Sequence, residues 1–211
     1  MNDTKALPIR QWITIPAIVT LAITLVRLVG ELLNLSPRFF SREGGGAGAL
    51  IGIVWLVPVF GIHFALRLRA SGDRPQPLGK AFALVIAAFA APLVAGSLGP
   101  PPPALQGIVV TCLVSLFAIL IARPAWPSLA RVLWAYALAA RVPVILVMLA
   151  AILGNWGTHY DVPPPNFPAM SPVVKWLLIG VFPQLTLWMG FTVIVGMFFG
   201  LVAVAVSGKR G

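Results

Sequence analysis

Six polar side chains stand where an apolar sequence tolerates them least: Thr20, Thr24, Arg27, Glu31, Asn34 and Arg38, at steps of four, three, four, three and four residues. On a helix that spacing places all six on one stripe. Within it, Arg27 and Glu31 lie one turn apart and can pair. A second anomalous charge, Arg141, falls near the middle of another apolar run. A charge at the bilayer centre costs about 2.5 to 3.5 kcal/mol on insertion scales, so such residues turn to the bundle interior and seek partners there. The reading predicts that Arg141 reaches the Glu31 carboxylate. Two guanidinium groups on one carboxylate leave positive charge over, an arrangement suited to a phosphate, a carboxylate or a lipid headgroup. The candidate ligand-binding residues are therefore Arg27, Glu31, Asn34, Arg141 and Arg38. The same pairing also serves a purely structural ion network or a proton or ion path, and spacing does not separate the three.

A second constellation lies in connectors. His159, Tyr160 and Asp161 are consecutive, between Trp156 and the prolines Pro163, Pro164 and Pro165. Consecutive loop residues point in different directions, so the segment reads first as a proline-stiffened cap and second as an acid–base site. Arg38 and Arg42 precede the glycine cluster Gly44 to Gly48, whose backbone amides form either a phosphate nest or a closely packed approach to the next helix. His63 stands four residues before Arg67 inside an apolar run and reads as a packing histidine. No Walker, HExxH, GxSxG or strand-linked GxGxxG motif is present. No catalytic residue, metal site or cofactor is assigned. The one cysteine, Cys112, rules out an intrachain disulfide.

The elements that must position these groups follow from composition. The chain has 211 residues, 59% hydrophobic and 9% charged, against about 25% charged in soluble domains. This is the composition of a polytopic membrane protein, with about 20 apolar residues per crossing. Runs of that kind predict an all-α bundle of six transmembrane helices in a single domain, at about 12–35, 47–68, 80–98, 104–122, 128–153 and 173–207. The first run is too long for a signal-peptide core and reads as a retained helix. Gly44, Gly48 and Gly52 recur at four-residue steps and predict close approach of helix two to a neighbour. Four prolines, Pro100 to Pro103, form a stiff spacer, and the sixth run exceeds one perpendicular crossing, so it tilts, projects or bends near Pro183. Thr111 and Ser115, like Gln184, Trp188 and Thr192, recur at four-residue spacing and predict inward-facing polar positions.

The net charge of +10 is concentrated in short loops beside apolar runs, which is a topology signal rather than a nucleic-acid one. Lys5 and Arg10, the loop Arg67 to Lys80, Arg123 and Lys209 with Arg210 fall on one side when the N-terminus is inside. Both termini are thus expected in the cytoplasm, with the chain in the cell membrane, the inner membrane in a bacterium. Expected partners are membrane lipids and other membrane subunits, with no nucleic acid. Function is expected to be a non-enzymatic binding or transport component, or an accessory subunit. The alternatives are an enzyme acting on a lipid or isoprenoid phosphate, drawing on Arg38, Arg42, His159 and Asp161, and a purely structural subunit.

Overall fold

The computed structural model describes residues 7–44, 49–75, 77–97 and 104–208. Lys5, Gly45 to Gly48, the Pro100 to Pro103 spacer, and Lys209 with Arg210 lie outside the described residues. The described chain is helical without strands, and six helices are long and apolar enough to cross a membrane. They are α1 (Ile9–Leu32), α2 (Leu56–Ala70, led in by a 3-10 turn at Ile53–Trp55), α3 (Leu78–Ser97), α4 (Ala104–Ala122), α5 (Pro127–Gly154) and a divided sixth span, Pro172–Ser207. The first half of that span, α6, covers 172–185 and is π-helical from Trp176 to Val181; the second, α7, is Leu187–Ser207.

Among the boundaries that differ from the sequence expectation, three have a clear local reason. α1 ends at Leu32, because Asn34 adopts φ +53° and the chain closes a Schellman motif: Asn34 N–H donates to Glu31 O and Leu35 N–H to Gly30 O. Asparagine tolerates the left-handed region better than other side-chain-bearing residues, so it stops the helix. Helix two begins late, since Gly52 is fully extended and residues 50 and 51 run beside Arg38 and Phe39 through backbone hydrogen bonds. α5 starts with Pro127 at its first position, which displaces Ser128 from the capping role its residue type suggests.

The sixth span does bend near Pro183. Proline offers no N–H and crowds the carbonyl four residues before it. Here the wider π turn precedes Pro183, and the helix breaks at Thr186 (φ −122°, ψ −75°).

Close packing is organised by α7, against which α2, α5, α4 and α3 all rest. A Cβ on Gly61 would lie 2.4 Å from Gly196 O, and one on Gly200 would lie 2.9 Å from Ala65 Cβ. Gly61 and Ala65 on α2 thus mesh with Gly196 and Gly200 on α7, small residues four apart on both helices. This is the close approach that the Gly44, Gly48, Gly52 series was expected to make. Gly44 and Gly52 instead lie before α2, in non-helical chain, Gly44 against the backbone of Val162 and Pro163 and Gly52 against the Arg27 guanidinium.

Around that seam lies a core of Phe64, Leu68, Leu129, Leu133, Tyr136, Met197 and Leu201, all essentially inaccessible. Trp126 is buried with them and its indole N–H donates to Asp73 Oδ1 at 2.8 Å, tying the α2–α3 loop to the α4–α5 turn. Trp126 is thus a core residue whose polar tip is satisfied. A smaller core, Leu28, Val144, Met148, Ala151 and Tyr160, sits toward the opposite end, beneath the connector between α5 and α6.

Candidate functional site

The polar site is built from α1 outward. Thr20 and Thr24 each donate back to the carbonyl four residues earlier, and Thr20 Oγ1 also lies 2.8 Å from the Tyr136 hydroxyl of α5. One turn on, Arg27 Nε donates to Glu31 Oε1 at 2.9 Å, and Arg27 Nη2 donates to Ser41 O. Glu31 is wholly buried. The first four positions of the stripe are therefore on one inward face, as the spacing predicts.

The remaining two leave it. With the helix stopped by Asn34, the three-and-four rule no longer applies beyond Leu32, and both Asn34 and Arg38 are exposed. The arginine that does reach α1 from this loop is Arg42, which donates through Nε and Nη2 to the main-chain carbonyl of Glu31. That carbonyl already accepts the Asn34 N–H, so the guanidinium adds a second donor there, and its charge complements the helix dipole.

The partner of the Glu31 carboxylate is His159 rather than Arg141. The His159 backbone N–H donates to Oε2 at 2.8 Å and its Nδ1–H to Oε1 at 2.5 Å. A turn delivers it there. Gly157 takes φ +64°, and Asp161 accepts from the N–H groups of Gly157 and Thr158 and from Thr158 Oγ1, at 2.7 to 2.9 Å. Asp161 thereby shapes the turn, and no hydrogen bond joins it to His159 among the described residues. The turn also inserts Tyr160, whose hydroxyl donates to Thr24 O at 3.1 Å. The connector is thus a plug seated on α1. Burial lowers the His159 pKa, with the Glu31 hydrogen bond opposing the shift, and raises that of the Tyr160 phenol.

Arg141 is 3% exposed, and no hydrogen bond or ion pair joins it to Glu31 among the described residues. Side chains on a helix lean toward its N-terminus, which on α5 is the end away from Glu31. Arg141 leans that way: Nη2 donates to Thr192 Oγ1 at 3.2 Å, and the guanidinium stands 5.2 Å from the centre of the Trp188 ring. Its Nε has no hydrogen-bond partner among the described residues. Gln184, also buried, leaves Oε1 without a partner, while its amide nitrogen faces the Met148 sulfur.

These groups line one cavity of about 260 Å³. Thr24 and Arg27 come from α1, Arg141, Val144 and Met148 from α5, His159 and Tyr160 from the plug, Ile179, Pro183 and Gln184 from α6, and Trp188 from α7. Gly52 forms part of the wall, where a Cβ would stand 3.1 Å from Arg27 Nη1. Apart from its few polar groups the lining is aliphatic or aromatic, and no carboxylate lines it among the described residues. No group of three or more His, Cys, Asp or Glu side chains is placed to hold a metal ion among the described residues. His63 is on α2, beside Phe64 and outside the cavity.

The structure thus joins Arg27, Glu31 and His159 directly, sets Arg141 on the same cavity, and leaves Asn34 and Arg38 outside. His159 is the residue whose role the sequence reading missed. Its signal was a buried carboxylate near the end of α1 with a histidine in a connector at the same end. Comparison with protein-family models, with curated proteins and with solved structures yields no match.

Proposed function

We propose that the chain is a non-enzymatic multi-pass membrane protein that binds a small amphipathic anion in this cavity, as the binding or transport component of its system. Arg27 and Arg141 are its charged groups on the cavity, Glu31 holds Arg27 in place, and His159 bridges the plug and α1. The observation carrying the reading is Arg141: a guanidinium buried at mid-span, with no carboxylate beside it and Nε unpartnered on the cavity wall. An uncompensated buried charge is costly, and an anionic ligand supplies the missing partner. The volume and the apolar walls favour a compact anion with an apolar body over a diacyl lipid, since pockets for drug-sized ligands run from roughly 300 to 1,000 Å³. Arg27, Glu31 and Arg141 are all buried within their own chain, so none of the three is presented to a partner subunit. The basic loops support an orientation with both termini in the cytoplasm of a cell-membrane protein.

A thermal-shift screen of the purified protein against apolar carboxylates and phosphate esters tests the reading, with Arg141→Met as the comparison. A ligand at one hundred times its Kd stabilises by about 2.7 kcal/mol, and that gain is expected for the native chain and absent from the variant. Equal shifts in both proteins, or a screen with no shift beside a variant that unfolds without ligand, would make Arg141 a structural residue and end the proposal.

A further inference from the structure

A second concavity lies at the opposite end of the bundle and is independent of the first. It is a groove of about 570 Å³ lined by Ile9 of α1, Leu116 and Leu120 of α4, Trp134 of α5, and two arginines, Arg123 and Arg131. Arg123 follows the last turn of α4, and Arg131 stands one turn into α5, on the side of Ser128, to whose hydroxyl it donates at 3.3 Å. Both arginines are exposed, and among the described residues no Asp or Glu lines the groove. The nearby acid Asp73 is engaged by the Trp126 indole. Leu120 is 64% and Trp134 39% exposed.

We propose that this groove holds one anionic phospholipid, its phosphate between Arg123 and Arg131 and an acyl chain along Leu116 and Leu120. Charge complementarity selects the occupant: two guanidinium groups without a carboxylate sit at the polar end of an apolar channel. Arginine forks match phosphate oxygens, and basic recesses between transmembrane helices take anionic headgroups. Trp134, three residues from Arg131, belongs at headgroup level on the same helix face. The location agrees with this order of groups, since both arginines are at a helix end and the leucines lie one and two turns inward along α4.

Native mass spectrometry of the delipidated full chain, titrated with phosphatidylglycerol or phosphatidylcholine, tests the assignment. Phosphatidylglycerol is expected to bind about tenfold more tightly, given the attraction each basic residue exerts on anionic lipid. The double variant Arg123→Gln/Arg131→Gln is expected to lose that preference, whereas Arg123→Lys/Arg131→Lys keeps most of it and Arg38→Gln, at an exposed site elsewhere, keeps all of it. Leu120→Trp fills the channel and is expected to weaken both lipids, which reports on the acyl chain. Equal binding of the two lipids, a preference that survives the glutamine variant, or full displacement by inorganic phosphate with no effect of Leu120→Trp would overturn the proposal. The last outcome would identify a simple anion site.

Discussion

The two ends of this bundle solve the burial of polar groups in opposite ways. At the basic end, Trp126 finds Asp73, Tyr136 finds Thr20, and the glycine seam between α2 and α7 brings backbones into contact over an aliphatic core. At the plug end, a carboxylate gathers three donors, an arginine and a glutamine keep unpartnered atoms, and a helix is broken by a π turn and a proline. Complete satisfaction makes a scaffold, whereas unsatisfied buried groups beside a cavity make a site, because a ligand can supply what packing withholds. The π turn fits the second pattern, since π-bulges cluster at functional positions.

Removing the centre of the plug end has the largest expected effect. Glu31→Ala leaves Arg27 buried without its carboxylate and unseats His159, and breaking a buried pair costs about 3 to 5 kcal/mol. Denaturant unfolding in micelles should show that loss, and a cost under about 1 kcal/mol would mean the plug is held by packing alone. Next comes the scaffold: Gly61→Ala drives a methyl into the Gly196 backbone, where overpacking costs about 1 to 3 kcal/mol. The same change at Gly52, facing only the end of the Arg27 side chain at 3.1 Å, is expected to cost less stability but to weaken anion binding. If the two glycine variants are equally destabilised, the contrast between the ends fails.

A smaller effect, of reversed sign, is expected at Arg141. Replacement by methionine removes an unsatisfied buried donor, a defect worth about 1 to 3 kcal/mol, so the ligand-free variant should melt at or above the temperature of the native protein. The smallest is a pH effect at the plug. His159 is held below its ordinary pKa of about 6.5, so the unfolded chain binds its proton more readily than the folded one. Its contribution to stability is therefore complete above that value and is lost as the pH falls below it. Hydrogen exchange at the His159 and Tyr160 amides, corrected for intrinsic rates, should accelerate at pH 5 relative to pH 7.5 while amides of α7 stay unchanged. A His159→Gln chain should lose that pH dependence.

Much of this arrangement was legible from residue order, up to a definable point. Periodicity located the six helices to within a few residues at most ends and placed Thr20, Thr24, Arg27 and Glu31 on one buried face. It failed at Asn34 and Arg38, where a three-and-four spacing was carried past the helix end. There the signal for termination, an asparagine ahead of Ser36-Pro37, was already present in the chain. It fails also for glycine: Gly44 and Gly52, members of the four-residue series, precede α2, while the residues that mesh are Gly61 and Ala65 with Gly196 and Gly200. Which small residues meet depends on the rotation of two helices about their axes, and that is set by all the neighbours together.

Composition and periodicity by themselves determined that the chain is helical, apolar enough for six crossings, and burdened with Arg27, Glu31 and Arg141 in its apolar runs, because burial of backbone and charge in an apolar medium leaves few alternatives. Only the tertiary structure decided who pairs with whom. Glu31 went to His159, 128 residues away, since a turn built by Gly157 and Asp161 carried the histidine to α1. Arg141 was left on a cavity wall, since the lean of α5 side chains aimed it at Thr192 and Trp188. Pairing across a bundle depends on loop geometry and side-chain direction, which spacing along one helix does not encode.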